Sequence, residues 1–191
     1  GVRCLSWMDF TGWVESALPS YGFRILTRVI TLTLCQQDVA VVPVDVRLRR
    51  ATEEDIEDVA RLDHVAFPSH WWQSQDTMRQ RLAVSSHFVV AEAEDKVVGY
   101  AESSLTKQVA HLNRIAVHPR HQGHGIGSAL LCDMIRSCRQ SGAHTITLNT
   151  QIDNVRSRRL YQRFGFEPTG ESICVWDLML CDTTDLTSSP C

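Results

Sequence analysis

The chain has 191 residues, of which 43% are hydrophobic and 21% charged, with a net charge of -3. This balance is typical of a globular protein and excludes wholesale disorder. The sequence contains no apolar run near the roughly 18 residues of a membrane span. It also shows no basic region followed by the apolar stretch of a signal peptide. We therefore expect a cytoplasmic protein with no membrane partner.

Residues 1–45 differ in pattern from the rest of the chain. The chain begins with Gly rather than Met, so we expect a fragment or a processed form. Tyr21-Gly22-Phe23 followed by a β-prone run resembles Phe164-Gly165-Phe166 followed by another such run. We interpret residues 1–36 as the tail of a preceding repeat, with a linker up to residue 45. A chance match is the alternative.

Two elements are predicted within this N-terminal extension (residues 1–45). The apolar spacing from Trp7 to Leu18 fits a short helix. The run from Val29 to Leu34 is strongly β-prone, and it should pair with the main sheet or form a hairpin at its edge. We expect cofactor binding not to depend on this extension.

Residues 46–180 form one unit of alternating strand and helix patterns. The predicted strands are residues 46–50, 87–93, 97–105, 109–118, 144–150, 166–171 and 173–180. The predicted helices are residues 52–66, 76–84, 125–139 and 155–164. Because strands first pair as a hairpin and then alternate with helices, we predict an α/β domain with a mixed central sheet flanked by helices. We place the domain at residues 46–181 and a C-terminal tail at 182–191.

The seven cysteines do not form a recognisable framework. Their number is odd and no Cys-x-x-Cys is present, so neither a disulfide scaffold nor a zinc site is predicted. We expect no metal and mostly reduced thiols.

Positive charge is concentrated in one segment. Residues 111–163 hold eight arginines and two aspartates, a net charge of +6 inside an acidic protein. Such a segment favours an anionic ligand, either nucleic acid or a phosphorylated cofactor. The sequence lacks helix-turn-helix, RNA-binding and zinc signatures, so we expect no nucleic-acid partner.

The strongest motif lies between a predicted strand and the helix that follows it. Gln122-Gly123-His124-Gly125-Ile126-Gly127 follows a strand that ends at Pro119. Glycines let backbone N–H groups converge on a ligand, and a helix N-terminus adds positive potential. The spacing differs from the dinucleotide-binding Gly-x-Gly-x-x-Gly and lacks a Walker lysine. The motif therefore indicates a phosphate-binding turn of another kind.

A second motif supports this interpretation. Asn154 precedes a helix carrying Leu160 and Tyr161 that ends at Gly165-Phe166. Together, the two motifs and the strand order over residues 46–180 resemble the GNAT family of N-acetyltransferases. The resemblance implies acetyl-coenzyme A as donor and an amine as acceptor: a protein N-terminus, a lysine or a small molecule.

The resemblance also assigns cofactor contacts. Backbone groups of the strand would pair with the pantetheine arm, backbone N–H groups of the turn would hold the pyrophosphate, and Asn154 would touch the arm. The implied cofactor-binding residues are Ile115, Ala116, Val117, Gln122, Gly123, His124, Gly125, Ile126, Gly127, Ser128 and Asn154. We expect the His124 side chain itself to point to solvent.

Three catalytic candidates follow. Tyr161 matches the family tyrosine that acts as general acid to the thiolate, with a core aromatic residue as the alternative. His111 occupies the position of a frequent family carboxylate, and strand alternation would place it on one face with Ile115. Glu102 is a further candidate base, and a purely structural His111 remains open.

Two further positions bear on the acceptor. Trp71 and Trp72 lie in a predicted loop whose family counterpart walls the acceptor site, so we expect an aromatic wall. The alternative is one core tryptophan and one that covers an edge. Asn149 replaces a family glutamate of ribosomal-protein alanine acetyltransferases, which argues against that assignment. A non-catalytic acyl-coenzyme A-binding domain of a tandem protein is the alternative function.

Overall fold

A single mixed sheet organises the structure, a computed structural model that describes residues 4–8, 15–35 and 46–180. Its eight strands are β1 (Cys4–Met8), β2 (Arg24–Leu34), β3 (Arg47–Arg50), β4 (His87–Ala93), β5 (Lys96–Thr106), β6 (Val109–Val117), β7 (Thr145–Gln151) and β8 (Glu167–Met179). The order across the sheet is β1-β8-β2-β7-β6-β5-β4-β3. The pair β6 and β7 is parallel, whereas the other neighbours are antiparallel. The predicted mixed α/β fold is confirmed.

Four helices cover the two faces of this sheet: α1 (Ile56–Ala66), α2 (Gln75–Val84), α3 (Ile126–Gln140) and α4 (Val155–Arg163). Alternation along β4 sends Phe88 and Val90 to a core with α1 and α2. Val89 and Ala91 pack instead in a larger core with α3. A capping box precedes α1: the Thr52 backbone N–H donates to the Asp55 carboxylate at 2.7 Å.

The N-terminal extension supplies an inner strand of the sheet. β2 pairs with β7 on one side and with β8 on the other, antiparallel to both. Leu32 and Leu34 on β2 are 3% and 0% exposed in the larger core. The predicted pairing of Val29–Leu34 with the sheet is confirmed. Its position is internal rather than at an edge, because β2 fills the gap between β7 and β8.

The two aromatic-Gly-Phe turns share one local geometry. Gly22 and Gly165 have φ of 85° and 82°. In both turns the glycine N–H donates three residues back and the following Phe N–H five residues back, to Pro19 and Leu18 or to Gln162 and Tyr161. The predicted similarity of backbone is confirmed. The origin of the extension as the tail of a preceding repeat stays a prediction.

Two element predictions were wrong. The runs 166–171 and 173–180 are one strand, β8, in which Gly170 at φ 90° accompanies a register shift opposite Ile30 and Leu32. Trp7 lies in a strand rather than a helix, because β1 pairs along β8 with Trp7 opposite Trp176. Residues 9–14 of the predicted helix, the linker at 36–45 and the tail from residue 181 lie outside the described residues.

We predict that β2 is needed for stability. Leu32→Ala should lower the free energy of unfolding by about 2–5 kcal/mol, since it leaves a cavity in the larger core. Ile25→Ala, at a residue of the same strand that is 48% exposed, serves as the matched control and should change it far less. Urea unfolding measures both, and equal small effects would contradict the internal placement of β2.

Candidate active site

The site is built where two parallel strands separate. Pairing of β6 with β7 runs from Val109 opposite Thr145 to Leu112 opposite Leu148 and ends there. Both strands continue, to Val117 and to Gln151. Backbone groups on the facing edges beyond Leu112 therefore have no partner strand, and backbone polar groups require partners. The opening suits an extended ligand that hydrogen-bonds as a strand would.

A groove of about 750 Å³ occupies this opening, and we call it the donor groove. Of the eleven cofactor-binding residues predicted, ten line it: Ile115, Ala116, Val117, Gln122, Gly123, Gly125, Ile126, Gly127, Ser128 and Asn154. His124 does not line the groove, and its side chain is exposed, as expected. Asn154 also caps α4, since its side-chain oxygen accepts from the Ser157 backbone N–H at 3.1 Å.

The glycine turn has the backbone that phosphate binding requires. Gly123 and Gly125 have φ of 89° and 82°, in a region that side chains with a Cβ rarely adopt. Gly125 is the N-cap of α3. The first N–H groups of a helix have no intrahelical acceptor, so those of residues 126–128 converge at the end of the groove. Together with the helix dipole, they form an anion site.

Side chains lock this turn to its neighbours. The Gln122 amide donates to the Val117 carbonyl at 2.9 Å, and its oxygen accepts from Arg156. Gln122 thus joins the end of β6 to α4. Arg156 and Arg163 line the donor groove but are absent from the predicted contacts. The concentration of arginines in residues 111–163 was the available signal for them, since guanidinium groups match phosphate oxygens.

The N-terminal extension contributes a wall of the groove. Leu26 and Thr27 line it, and the Thr27 hydroxyl donates to Asp153 at 3.0 Å. The Ile152 N–H donates to the Arg28 carbonyl at 2.8 Å. The sequence predicted no cofactor contact in the extension, whereas two of its residues line the groove; that cofactor binding does not depend on the extension stays a prediction. The insertion of β2 beside β7, which no local sequence signal reports, is the physical reason.

A second cavity of about 180 Å³ adjoins the donor groove, and we call it the acceptor pocket. The two cavities share Phe67, Trp71, Ile115, Gln151, Asn154 and Ser157. Further residues of the acceptor pocket are Met8, Val29, Leu112, Asn113, Arg114, Asn149, Thr150, Tyr161 and Ile173. Because the two cavities share wall residues, a ligand in the donor groove would lie next to the acceptor pocket.

Tyr161 lies in the wall of the acceptor pocket. Its side chain is buried, and its ring meets Phe166 edge-on at a centroid distance of 5.9 Å. Burial raises the pKa of the phenol well above its usual value, and a hydrogen bond with Ser157 offsets part of the rise. Tyr161 is therefore protonated at neutral pH. Its ring packs in the core, and the residue also lines the acceptor pocket.

Glu102 lies outside both cavities and is already engaged. Its carboxylate accepts from Arg81 at 2.8 Å, Ser85 at 2.5 Å and the Asn113 amide at 2.7 Å. The residue is 2% exposed. A carboxylate that accepts from three donors holds those donors in place. Asn113 connects it to the acceptor pocket.

His111 lies on the face of the sheet opposite to Ile115, so the predicted alternation was wrong. Glu102 pairs with Arg114, whereas Ser103 pairs with Leu112, so Asn113 is an extra residue in β6. Such a bulge reverses the side-chain alternation along a strand. His111 lines neither cavity among the described residues, and its Nδ1 lies 2.8 Å from the Thr147 hydroxyl.

The two tryptophans have different positions. Trp71 lines both the donor groove and the acceptor pocket. Trp72 stacks on His64 at a centroid distance of 4.4 Å and donates its indole N–H to the Phe67 carbonyl at 2.8 Å. It lines neither cavity and is 48% exposed. Only Trp71 is thus placed to contact a ligand.

The family model described as the acetyltransferase (GNAT) family matches residues 53–166, more than half of the chain. The chain belongs to the GNAT acetyltransferase family. Its turn, strand opening and Tyr161 lie within the matched range. The chain is therefore an N-acetyltransferase domain with acetyl-coenzyme A as its donor, as the two motifs predicted.

The chain is also similar to individual GNAT acetyltransferases. A Bacillus subtilis protein provisionally named a ribosomal protein bS18-alanine N-acetyltransferase is 26% identical over 125 residues, 64% of this chain and 82% of that protein. PaiA N-acetyltransferase from Thermoplasma acidophilum, solved in complex with coenzyme A, has a TM-score of 0.60 at 18% identity, covering 71% of this chain and 99% of that one.

A longer GNAT structure covers the extension as well. A GNAT protein from Sphaerobacter thermophilus has a TM-score of 0.69 at 15% identity and covers 92% of this chain. This chain spans only 59% of that protein. The match at this identity concerns the fold alone.

No helix in the described ranges is long and apolar enough to cross a membrane. The same ranges contain no group of three or more His, Cys, Asp or Glu side chains suited to a metal ion.

We predict that Gly125→Glu abolishes coenzyme A binding, because it places a side chain and a negative charge at the anion site. Gly142→Glu is the matched control, since Gly142 also has positive φ (90°) but ends α3 with open space around it. Both variants bear the same backbone strain, and only Gly125→Glu should lose affinity in calorimetry. Unchanged affinity in folded Gly125→Glu would show that the phosphates bind elsewhere.

Proposed function

We propose that this GNAT domain transfers the acetyl group directly, with Tyr161 as general acid and His111 as general base. The observation that carries the proposal is the position of a protonated, buried Tyr161 in the acceptor pocket, beside residues shared with the donor groove. The pantetheine arm would pair along the open edge of β6, with its pyrophosphate at residues 122–128. The thioester would then lie where the two cavities meet.

Transfer requires a proton at the leaving group. The acceptor amine attacks the thioester carbon, and the carbon–sulfur bond breaks as the tetrahedral intermediate collapses. The departing thiolate would take a proton from the Tyr161 hydroxyl, and Tyr161 would regain one, through water, from the nitrogen that becomes the amide. A raised pKa suits this role, because the phenol must be protonated before each turnover.

The base must take a proton from the acceptor ammonium. Burial lowers the pKa of His111, opposed by the charge of Glu102, so the imidazole is neutral at pH 7. The Thr147 hydroxyl donates its own proton to the Ala110 carbonyl at 3.3 Å. We therefore place a proton on His111 Nδ1, which donates it to the Thr147 oxygen. This tautomer leaves Nε2 as a free base. Thr147 and Asn149 share a face of β7, and we propose a water link from His111 to the pocket along that face.

Glu102 serves this proposal as an anchor rather than as the base. Its carboxylate oxygens are occupied by three donors, and it positions Asn113 in the acceptor pocket. Removal of Glu102 would therefore disturb the pocket through Asn113.

The acceptor is proposed only as an amine class. The Bacillus subtilis relative is named for a protein N-terminal alanine, which supports a peptide α-amine. Asn149 lies in the acceptor pocket at the position where ribosomal-protein alanine acetyltransferases carry a glutamate, which argues against the same substrate for this chain. Three amines would distinguish these classes: a peptide that begins with alanine, Nα-acetyl-lysine amide with its ε-amine free, and spermidine. Each is incubated with acetyl-coenzyme A, and mass spectrometry detects the acetylated product.

The non-catalytic alternative lacks support from the site. A binding-only domain needs no proton donor, whereas Tyr161 is present in the acceptor pocket and the glycine turn is intact.

We propose the cytoplasm as the compartment, which a fractionation experiment with the expressed chain would test.

We predict that Tyr161→Phe lowers kcat by about ten- to a thousandfold, since the ring remains and the proton donor is removed. Coenzyme A affinity, measured by calorimetry, should not change. Tyr21→Phe is the control, because Tyr21 is 73% exposed and lies outside both cavities. If Tyr161→Phe and Tyr21→Phe have the same kcat, Tyr161 has only a packing role.

We predict an acidic limb in the pH profile that belongs to His111. Because burial lowers its pKa below the usual value of 6.5, the neutral base predominates at pH 7 and is lost as the pH falls below 6.5. His111→Gln should lower kcat/KM at pH 7 and remove this limb. His144→Gln, at an exposed histidine, should leave it in place. An unaltered limb in His111→Gln would exclude His111 as the base.

A further inference from the structure

A buried ion pair joins α1 to the site strand β6. Asp63 is 0% exposed, and its carboxylate lies 2.7 Å from Arg114 Nη2. Arg114 Nε also donates to Asp63 at 2.8 Å. The Tyr100 hydroxyl adds a bond of 2.5 Å, and the Gln73 backbone N–H adds one of 3.1 Å. The carboxylate is thus satisfied by side chains from β5 and β6 and by the backbone that precedes α2.

Arg114 also holds the segment that walls the two cavities, residues 67–73, which we call the aromatic loop. Its Nη2 donates to the Trp71 carbonyl at 2.6 Å. Its guanidinium carbon lies 3.8 Å from the centroid of the Phe67 ring, in a cation–π contact. Phe67 and Trp71 line both cavities, and Arg114 lines the acceptor pocket.

The connections converge on one side chain. The aromatic loop is bound at Phe67 and Trp71 by Arg114 and at Gln73 by Asp63. Arg114 is itself the residue after the β6 bulge and precedes Ile115 of the donor groove. One guanidinium therefore sets the distance between the aromatic loop and the strand along which the donor would lie.

We propose that Arg114 is the positioning residue of the acceptor site, which holds the aromatic loop in register with the bulge of β6. The inference rests on the proposed function of the acceptor pocket. Arg114 acts through Phe67 and Trp71, whose placement decides where the acceptor amine stands relative to the thioester. Acceptor use depends on it, whereas donor binding at residues 122–128 does not.

Stability alone does not account for this arrangement. A buried ion pair contributes little net stability compared with apolar residues of the same volume. Of the polar links made by Arg114, one goes to the loop backbone, which an apolar side chain could not provide. Lysine would keep the charge but lose the planar fork that reaches Asp63 and Trp71 together.

The test compares Arg114→Lys with Arg49→Lys. Arg49 also makes a two-oxygen contact with a carboxylate, Asp55, but lies outside both cavities. We expect Arg114→Lys to speed hydrogen exchange of residues 67–73. We also expect it to raise the acceptor KM about tenfold or more, and to change the acetyl-coenzyme A KM far less, because the glycine turn at residues 122–128 does not contact Arg114. Arg49→Lys should change neither quantity. Kinetics use whichever amine of the peptide, lysine and spermidine panel the wild type acetylates fastest.

Unchanged exchange in the aromatic loop of folded Arg114→Lys would overturn the inference, as would an unchanged acceptor KM. If Arg114→Lys does not fold, the double variant Asp63→Leu with Arg114→Met replaces the ion pair by apolar side chains and should show the same loosened loop. If the wild type acetylates none of the amines, the proposed acceptor classes fail, and hydrogen exchange alone decides the role of Arg114.

Discussion

The separation of β6 from β7 is the constraint on which the remaining structure depends. Pairing stops at Leu112 and Leu148, and both strands run on with unpaired facing edges. Unpaired backbone groups are costly unless a ligand or water satisfies them. The opening therefore suits an extended polar ligand, and the glycine turn and the N-terminus of α4 lie at its end, where we propose that the phosphates bind.

The outer side of β7 must be closed for this opening to exist. If no strand paired with the outer edge of β7, that edge would be exposed, or β7 would pair with β6 along its whole length and close the opening. β2 performs this closure, since it pairs with β7 over six residues from Val29 to Leu34 and connects it to β8. The same strand carries Leu26 and Thr27 into the groove wall. Stability of the sheet and shape of the donor groove thus share one element.

Buried carboxylates near the site hold other groups in place. Asp63 and Glu102 are each almost fully buried, and each accepts from an arginine and from further donors. Their charges are neutralised where they stand, so they act as fixed points for Arg114 and Asn113, which line the acceptor pocket. The titrating groups of the proposed mechanism are instead the residues whose pKa values burial displaces, Tyr161 and His111.

The sequence alone determined the elements whose signals are local: the helix and strand periods, the glycine turn at residues 122–127, Asn154 and Tyr161 on α4, and the family. Six of the ten predicted groove residues, at positions 122, 123 and 125–128, lie in one turn and the start of its helix, which carry their own geometry. Tertiary structure decided the rest. The insertion of β2, the bulge at Asn113 that turns His111 away from Ile115, and the contact of Arg114 with the aromatic loop all join distant segments, and no local pattern encodes such pairings.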